Sequence, residues 1–362
     1  MSRSIRRILY VPNETGDARQ FGYRRAFADL LSAGMLDEVR VFSLEHRIHA
    51  GGDAAAHRAD LLAAAREFAP DLLFMQHLGR TGLTDGDFEQ LTSGGTPLLY
   101  HEADPYTRRV HPLPAAARAA GRAADVVFTV GAGTFTTNFL RSGARRVEWT
   151  PSAFDPNRID LGEGQRERAM DVVIIANRGR ARIRPLPNAA DRVRFIEAVQ
   201  DRLGDRLALH GRGWSGPSAR GPVPYSEQTT VLRSAWMSAN WDHFAAEPCY
   251  FSDRLAIALA SGSVFATTLH PGYSAVFPPD LTRRFLITSS QPQDLLQRIE
   301  QWLATTTVDQ RLDAELAARE FAWSHLRQDD TLVTMLNAVG VGIDPRAASE
   351  AWDIRRAPLD AL

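Results

Sequence analysis

The sequence contains no lysine: all 42 basic residues are arginine. Any charged grip on a phosphate or carboxylate therefore falls to guanidinium or imidazole, and a guanidinium keeps its charge and binds oxyanions through a planar fork. There is one cysteine, Cys249, which excludes an internal disulfide and a cysteine-based zinc site. No eighteen apolar residues run together, so no transmembrane helix is expected. The start, MSRSIRRILYVPNETG, breaks at Pro12 and Asn13, too early for a signal peptide, and a cytoplasmic location is the expectation. A net charge of −1 gives no general pull toward nucleic acid or anionic membrane. There is no Gly-X-Ser-X-Gly elbow of a serine hydrolase, no solenoid repeat and no low-complexity tract.

What is present is an ordinary globular composition, 362 residues of which 44% are hydrophobic and 23% charged, with length for two domains. Short runs rich in Val, Ile, Leu and Phe at 5–11, 39–44, 71–76, 97–101, 125–130 and 146–150 read as strands. Amphipathic segments lie between them, such as GYRRAFADLLSAG (22–34), DAAAHRADLLAAAREFA (53–69) and TFTTNFLRSGA (134–144). This alternation predicts a parallel, doubly wound sheet.

The pattern breaks at TPSAFDPNRIDLGEGQRERAM (150–170) and resumes with strands at 171–176, 207–210, 236–240, 264–267 and 285–287. Helices are expected at 191–203, 226–233, from Ser252 to Gly262, at 293–304, and at 309–339 with a break. The expected organisation is α/β: two Rossmann-like domains, 1–154 and 155–340, facing a central cleft, with a tail at 341–362.

Several polar clusters fall at the ends of expected strands. YFSDRLAIALASG (250–262) opens a helix with Ser252 and Asp253, which suit a positive helix N-terminus, and then Arg254, which does not. Arg254 is either a solvated side chain or, with the helix N–H groups, half of an anion grip. IANRGRARIRP (175–185) places Arg178, Arg180, Arg182 and Arg184 after a strand, as a solvated loop or a diphosphate site. HGRGW (210–214), with His210, Gly211 and Arg212, is a plain turn or a binding loop, and PNETGD (12–17) has the same standing. PNETGD lacks the full Gly-X-Gly-X-X-Gly, which argues against a dinucleotide oxidoreductase. LLYHEADPY (98–106) brings His101, Glu102 and Asp104 to a strand end, as sugar-hydroxyl binders or acid–base groups, or as a packed histidine and an Asp-Pro turn. Nothing in their spacing makes those three converge on a metal.

YFSDRLAIALASGSVFATTLHPGYSAVF, followed by RFLITSS and PQDLLQRIEQWL, resembles the C-terminal domain of GT-B glycosyltransferases, nearest the spore-maturation-protein-like branch near the large family 4. DVVIIANRGR, LALHGRGW and GPVPYSEQTTVLRSAWMSANWDHF stand upstream in that family's order. The likeness covers residues 171–326 well; in the first domain GYRRAFADLL and YHEADP carry it only in outline.

The resemblance implies the GT-B fold and transfer of a sugar from a nucleoside-diphosphate sugar to a small-molecule or glycan acceptor, without metal or other cofactor. By the same likeness the second domain takes the donor, with its diphosphate near Ser252, Asp253 and Arg254. Arg178, Arg182, His210, Gly211, Arg212 and Tyr225 would line the nucleotide. The first domain takes the acceptor, and His101 reaches the sugar. Retention at the sugar carbon is implied; for inversion, His101, Glu102 or Asp104 is the base. The sequence departs from the family at Ala256 and Ile257, where relatives keep phenylalanine and a ribose-binding glutamate. Asp253 or Glu247 would then replace that contact. A nucleotide-sugar epimerase and a non-catalytic nucleotide-sugar-binding protein are the other readings.

Overall fold

The computed structural model describes residues 4–15, 20–108, 111–159, 167–179, 186–350 and 352. Arg180, Arg182 and Arg184, with residues 16–17 and 160–166, lie outside the described residues. The chain forms two compact units, Met1–Thr150 with Gln328–Leu362, and Pro151–Arg327.

The first unit is built on six strands: β1 (Arg7–Val11), β2 (Glu38–Val41), β3 (Leu72–Gln76), β4 (Leu98–Glu102), β5 (Val126–Thr129) and β6 (Val147–Trp149). They lie in the order β2-β1-β3-β4-β5-β6 and every pairing is parallel. The inner strands, LLFMQ in β3 and LLYHE in β4, are buried along their whole length, as a sheet covered on both faces requires. Alternate residues feed two separate cores. Leu73, Met75, Leu98 and Tyr100 enter one, and Leu72, Phe74, Leu99 and Phe128 the other.

The second of those cores corrects the expected domain boundaries. The helix Gln328–Ala338 places Leu332, Val333, Met335 and Leu336 against Tyr23, Ala26, Phe27 and Leu30, and Ile343, Ala348 and Trp352 continue the same cluster. Residues 328–352 are therefore neither part of the second unit nor a surface tail, because one sheet face of the first unit needs their apolar surface to be covered. The helical stretch expected at 309–339 is two helices, Val308–His325 and Gln328–Ala338, and the break between them coincides with the division between the units. A further difference from expectation lies after β2, where Leu44 opens the helix Leu44–Ala50 rather than ending a strand.

The second unit has β7 (Met170–Ile175), β8 (Leu207–His210), β9 (Ala219–Gly221), β10 (Ala235–Ala239), β11 (Val264–Thr268) and β12 (Leu286–Ser289), in the order β12-β11-β10-β7-β8-β9. All pairings are again parallel. Strand order reverses between β7 and β10, and in the first sheet between β1 and β3. At such switch points the loops leaving neighbouring strands diverge and open a crevice at the carboxyl edge. The helix Asp253–Ala260 starts at that edge of the second sheet. Every residue from Leu255 to Ala260 is buried, which explains its small and apolar composition.

Candidate functional site

Arg254 folds back over the start of its own helix. Its Nη1 donates to Ser252 Oγ at 3.0 Å, while Ser252 Oγ donates to Asp253 Oδ1 at 3.0 Å and the Arg254 backbone N–H donates to that same carboxylate oxygen at 3.0 Å. Ser252 and Asp253 thus cap the helix, as the sequence suggested, and the Arg254 side chain joins them by folding back onto Ser252. A second guanidinium lies close by. Arg192, on the helix Ala189–Leu203, is only 6% exposed, and its Nε and Nη2 are buried without a hydrogen-bond partner. Burial, then the like charge of Arg254, bring its pKa down to about 10, against the opposing pull of Asp242 and Tyr250.

The carboxylate beside these arginines is already engaged. Asp242 accepts from Asn240 Nδ2 at 2.5 Å and Thr267 Oγ1 at 3.3 Å, and lies 3.1 Å from His270 Nε2. Burial pushes its carboxyl up, but His270 and the charges of Arg192 and Arg254 outweigh burial and hold it below the usual range. The other nitrogen of His270 stands 3.2 Å from the Glu247 carbonyl. Around this anchor several buried polar atoms have no partner: Asn240 Oδ1, Trp241 Nε1, His243 Nδ1 and Tyr273 Oη. Each such group costs about 1–3 kcal/mol unless something binds it. The Asn240 amide is oriented by its bond to Asp242, since a flip would set oxygen against oxygen, so Oδ1 is left as a buried acceptor without a partner. A depression at the switch point is lined by Ile175, Leu232, Asn240, Arg254, Ile257 and Phe265. Ile257, the departure from the family likeness noted in the sequence, is among its apolar lining residues.

The other sequence candidates of this unit do something different. Arg178 donates to Glu197 Oε1 at 2.7 Å and lies 5.4 Å over the Trp214 ring. A Cβ on Gly211 would sit 2.0 Å from the Ala176 carbonyl oxygen, so this glycine is required by the approach of two strand ends. The Arg212 backbone N–H donates to Asn177 Oδ1, its carbonyl accepts from Arg178 N–H, and Trp214 Nε1 donates to the Ala176 carbonyl. These contacts knit together the loops leaving β7 and β8. His210 Nδ1 is buried without a partner, and burial, with the smaller effect of the Arg220 charge, lowers its pKa against a hydrogen bond the ring donates to the Gly221 backbone. Tyr225 is exposed and lies under the Arg158 guanidinium at 4.4 Å. Asp253 caps its helix, and Glu247 is buried.

Arg192 was missed in the sequence, although a signal existed. In ADRVRFIEAVQDRL it recurs with Phe195, Ile196, Val199 and Leu203 on one helical face, and all five are buried. A charge on an apolar stripe is buried for a reason.

In the first unit the expected trio separates. Strand alternation sends His101 to one face of β4 and Glu102 to the other. His101 Nδ1 lies 3.1 Å from Gln76 Nε2, and Tyr10 Oη donates to Gln76 Oε1. Burial lowers the imidazole pKa to about 4, so the ring is neutral, and its Nε2 is buried with no partner. Glu102 accepts from Tyr100 Oη at 2.6 Å, His77 Nδ1 at 2.8 Å and Asp104 N–H at 3.1 Å. His77, from the loop after β3, takes the place the sequence had given to His101, with Asp104 Oδ2 at 3.5 Å. Its backbone is left-handed, φ 40°. Burial would lower the His77 pKa, but the hydrogen bond and charge of Glu102, with Asp104 and Glu45, raise it to about 9. On the loop after β1, Glu14 is fully buried and accepts from Arg24 Nε and Nη2 at 2.7 Å each, Ser43 Oγ at 2.7 Å and Gln20 N–H at 3.0 Å.

Residues 175–336, a segment that carries Arg192, Asp242 and Arg254, match the family model described as glycosyl transferase-like. No curated protein matches the chain. Among solved structures the chain is similar to sucrose-phosphate synthase from Thermosynechococcus elongatus (12% identity, 92% of this chain and 98% of that one, TM-score 0.59). It is also similar to Anabaena HepE in complex with UDP-glucose (15%, 92% and 99%, 0.54) and to alpha,alpha-trehalose 6-phosphate synthase from Burkholderia multivorans (11%, 93% and 99%, 0.53). The chain has the GT-B fold, with one Rossmann-like sheet in each unit.

Proposed function

We propose that the protein is a glycosyltransferase that moves a sugar from a nucleoside-diphosphate sugar, with UDP-glucose the first donor to test, to a small-molecule or glycan acceptor. The observation that carries this reading is Arg192. A guanidinium that is 6% exposed, with Nε and Nη2 unbonded and the like charge of Arg254 acting on it, would gain from an anion shared between the two. A diphosphate placed between Arg192, Arg254 and the N-terminus of the helix Asp253–Ala260 would supply that anion.

As the bond between the sugar carbon and the diphosphate oxygen breaks, charge grows on the leaving diphosphate. Guanidinium and helix N–H groups already fixed there stabilise the transition state more than the ground state. Asp242 is engaged by Asn240, Thr267 and His270, so this reading gives the diphosphate to the arginines rather than to a metal held by that carboxylate. Of the residues expected to grip the nucleotide, Ser252, Asp253 and Arg254 keep that role and Arg192 joins them. Arg178, Gly211 and Arg212 become the frame of the neighbouring loops. His101 is retained as a neutral hydrogen-bonding group toward the sugar, and the place nearest the spore-maturation-protein-like branch rests on Ser252–Arg254 and Pro271–Gly272.

Calorimetric titration of the full chain with UDP, GDP and dTDP tests the donor site, and incubation with UDP-glucose tests the chemistry. Micromolar binding of one diphosphate, weakened about tenfold by Arg254→Ala, together with slow sugar release in the absence of acceptor, is expected. Failure of all three to bind sinks the donor assignment. Isomerisation of the donor would make the protein an epimerase, and binding without any turnover a nucleotide-sugar-binding protein.

A further inference from the structure

We propose that the carboxyl edge of the first sheet holds a divalent ion of the manganese or zinc type, liganded by His77, Glu102 and Asp104, with Glu45 as the adjoining carboxylate. The ligand atoms of His77, Glu102 and Asp104 all lie within 4.8 Å of one another, with His77 Nδ1 2.8 Å from Glu102 and 3.5 Å from Asp104. Ligands bound at about 2.0–2.2 Å stand about 3–4.3 Å apart around an ion, so one can sit among these three with small side-chain shifts.

The second observation is Glu45. It is 4% exposed, its Oε2 is buried without a partner, and the charges that act on its carboxylate are those of His77, Arg80, Asp104 and Glu102. A buried carboxylate with an unoccupied oxygen, set beside two other carboxylates, marks a place short of positive charge. One imidazole nitrogen with carboxylate oxygens suits zinc or manganese and does not suit a soft thiophilic ion.

On binding, the ion takes the position of the Nδ1 proton that His77 now donates to Glu102, and that proton leaves to solvent. Tyr100 Oη at 2.6 Å and the Asp104 N–H at 3.1 Å keep Glu102 oriented as the outer shell of the site. None of this depends on the donor site of the second unit, so the two ideas stand or fall separately.

The full-length chain, stripped with chelator and dialysed, would be titrated with MnCl2 and with ZnCl2 by calorimetry, with the manganese signal followed by electron paramagnetic resonance. One ion per chain is expected, bound at least tenfold more weakly by Asp104→Asn and by Glu45→Gln and lost in His77→Ala. Circular dichroism would check each fold. Asp104 is half-exposed, so its variant remains informative even if His77→Ala does not fold. No saturable binding of either ion, or wild-type affinity in both Asp104→Asn and Glu45→Gln, overturns the proposal.

Discussion

Both sheets are parallel and doubly wound, in different strand orders, and their carboxyl edges treat charge in opposite ways. In the first unit two buried carboxylates are paired within the chain, Glu14 clasped by Arg24 and Glu102 by His77 and Tyr100, while Glu45 keeps an unbonded oxygen. In the second unit the charge of Arg254 reaches the buried Arg192, the nearby carboxylate is held by its own neighbours, and guanidinium and amide atoms remain unbonded. A Rossmann-like sheet therefore supplies the crevice but not its electrostatics. A closed ion pair stabilises its own unit, whereas an open one makes stability depend on a ligand.

The largest effect should come from breaking the closed side. Glu14→Gln leaves Arg24 half-buried without its carboxylate and is expected to cost on the order of 3 kcal/mol at neutral pH. Burial pushes the Glu14 carboxyl up, but Arg24, with the Gln20 N–H and Ser43 hydroxyl, brings it down to about 2. A folded-state pKa below the unfolded one gives stability that is present above about 4.5 and lost as pH falls toward 2. Urea unfolding across that range should show wild type and Glu14→Gln converging in acid; a gap that stays constant would remove the ion pair as the cause.

Arg192→Met sharpens the open side. Nucleoside diphosphate affinity should fall about a hundredfold, close to 2.7 kcal/mol, while the melting temperature without ligand holds or rises, because an unpaired buried charge has gone. Equal losses of affinity and stability would make Arg192 a structural residue. The smallest change is expected from His101→Ala, about tenfold in turnover with donor affinity nearly intact. Since its imidazole is neutral above about pH 4, the wild-type rate should show no step from His101 between pH 5 and 8.

Much of the fold was legible because its signals are local. The doubly wound units, the Ser252 cap and the buried strands of both sheets follow from patterns a few residues long. Two features were legible and overlooked: Arg192 on an apolar helical stripe, and the strand alternation that separates His101 from Glu102. Other features had no local signal. Nothing within MQHLGR (75–80) indicates that His77 meets a carboxylate 25 residues later, and nothing in the helix Gln328–Ala338 indicates which unit it covers.

By itself the sequence determined the chemical inventory: arginine as the only permanent cation, no thiol pair, two parallel sheets, and a helix opened by serine, aspartate and arginine. Only the tertiary structure decided which of those charges are neutralised within the chain and which are left for a ligand. The physical reason is that burial and partners arise where segments far apart in sequence meet, and a charge acquires its energy from that surrounding rather than from its neighbours along the chain.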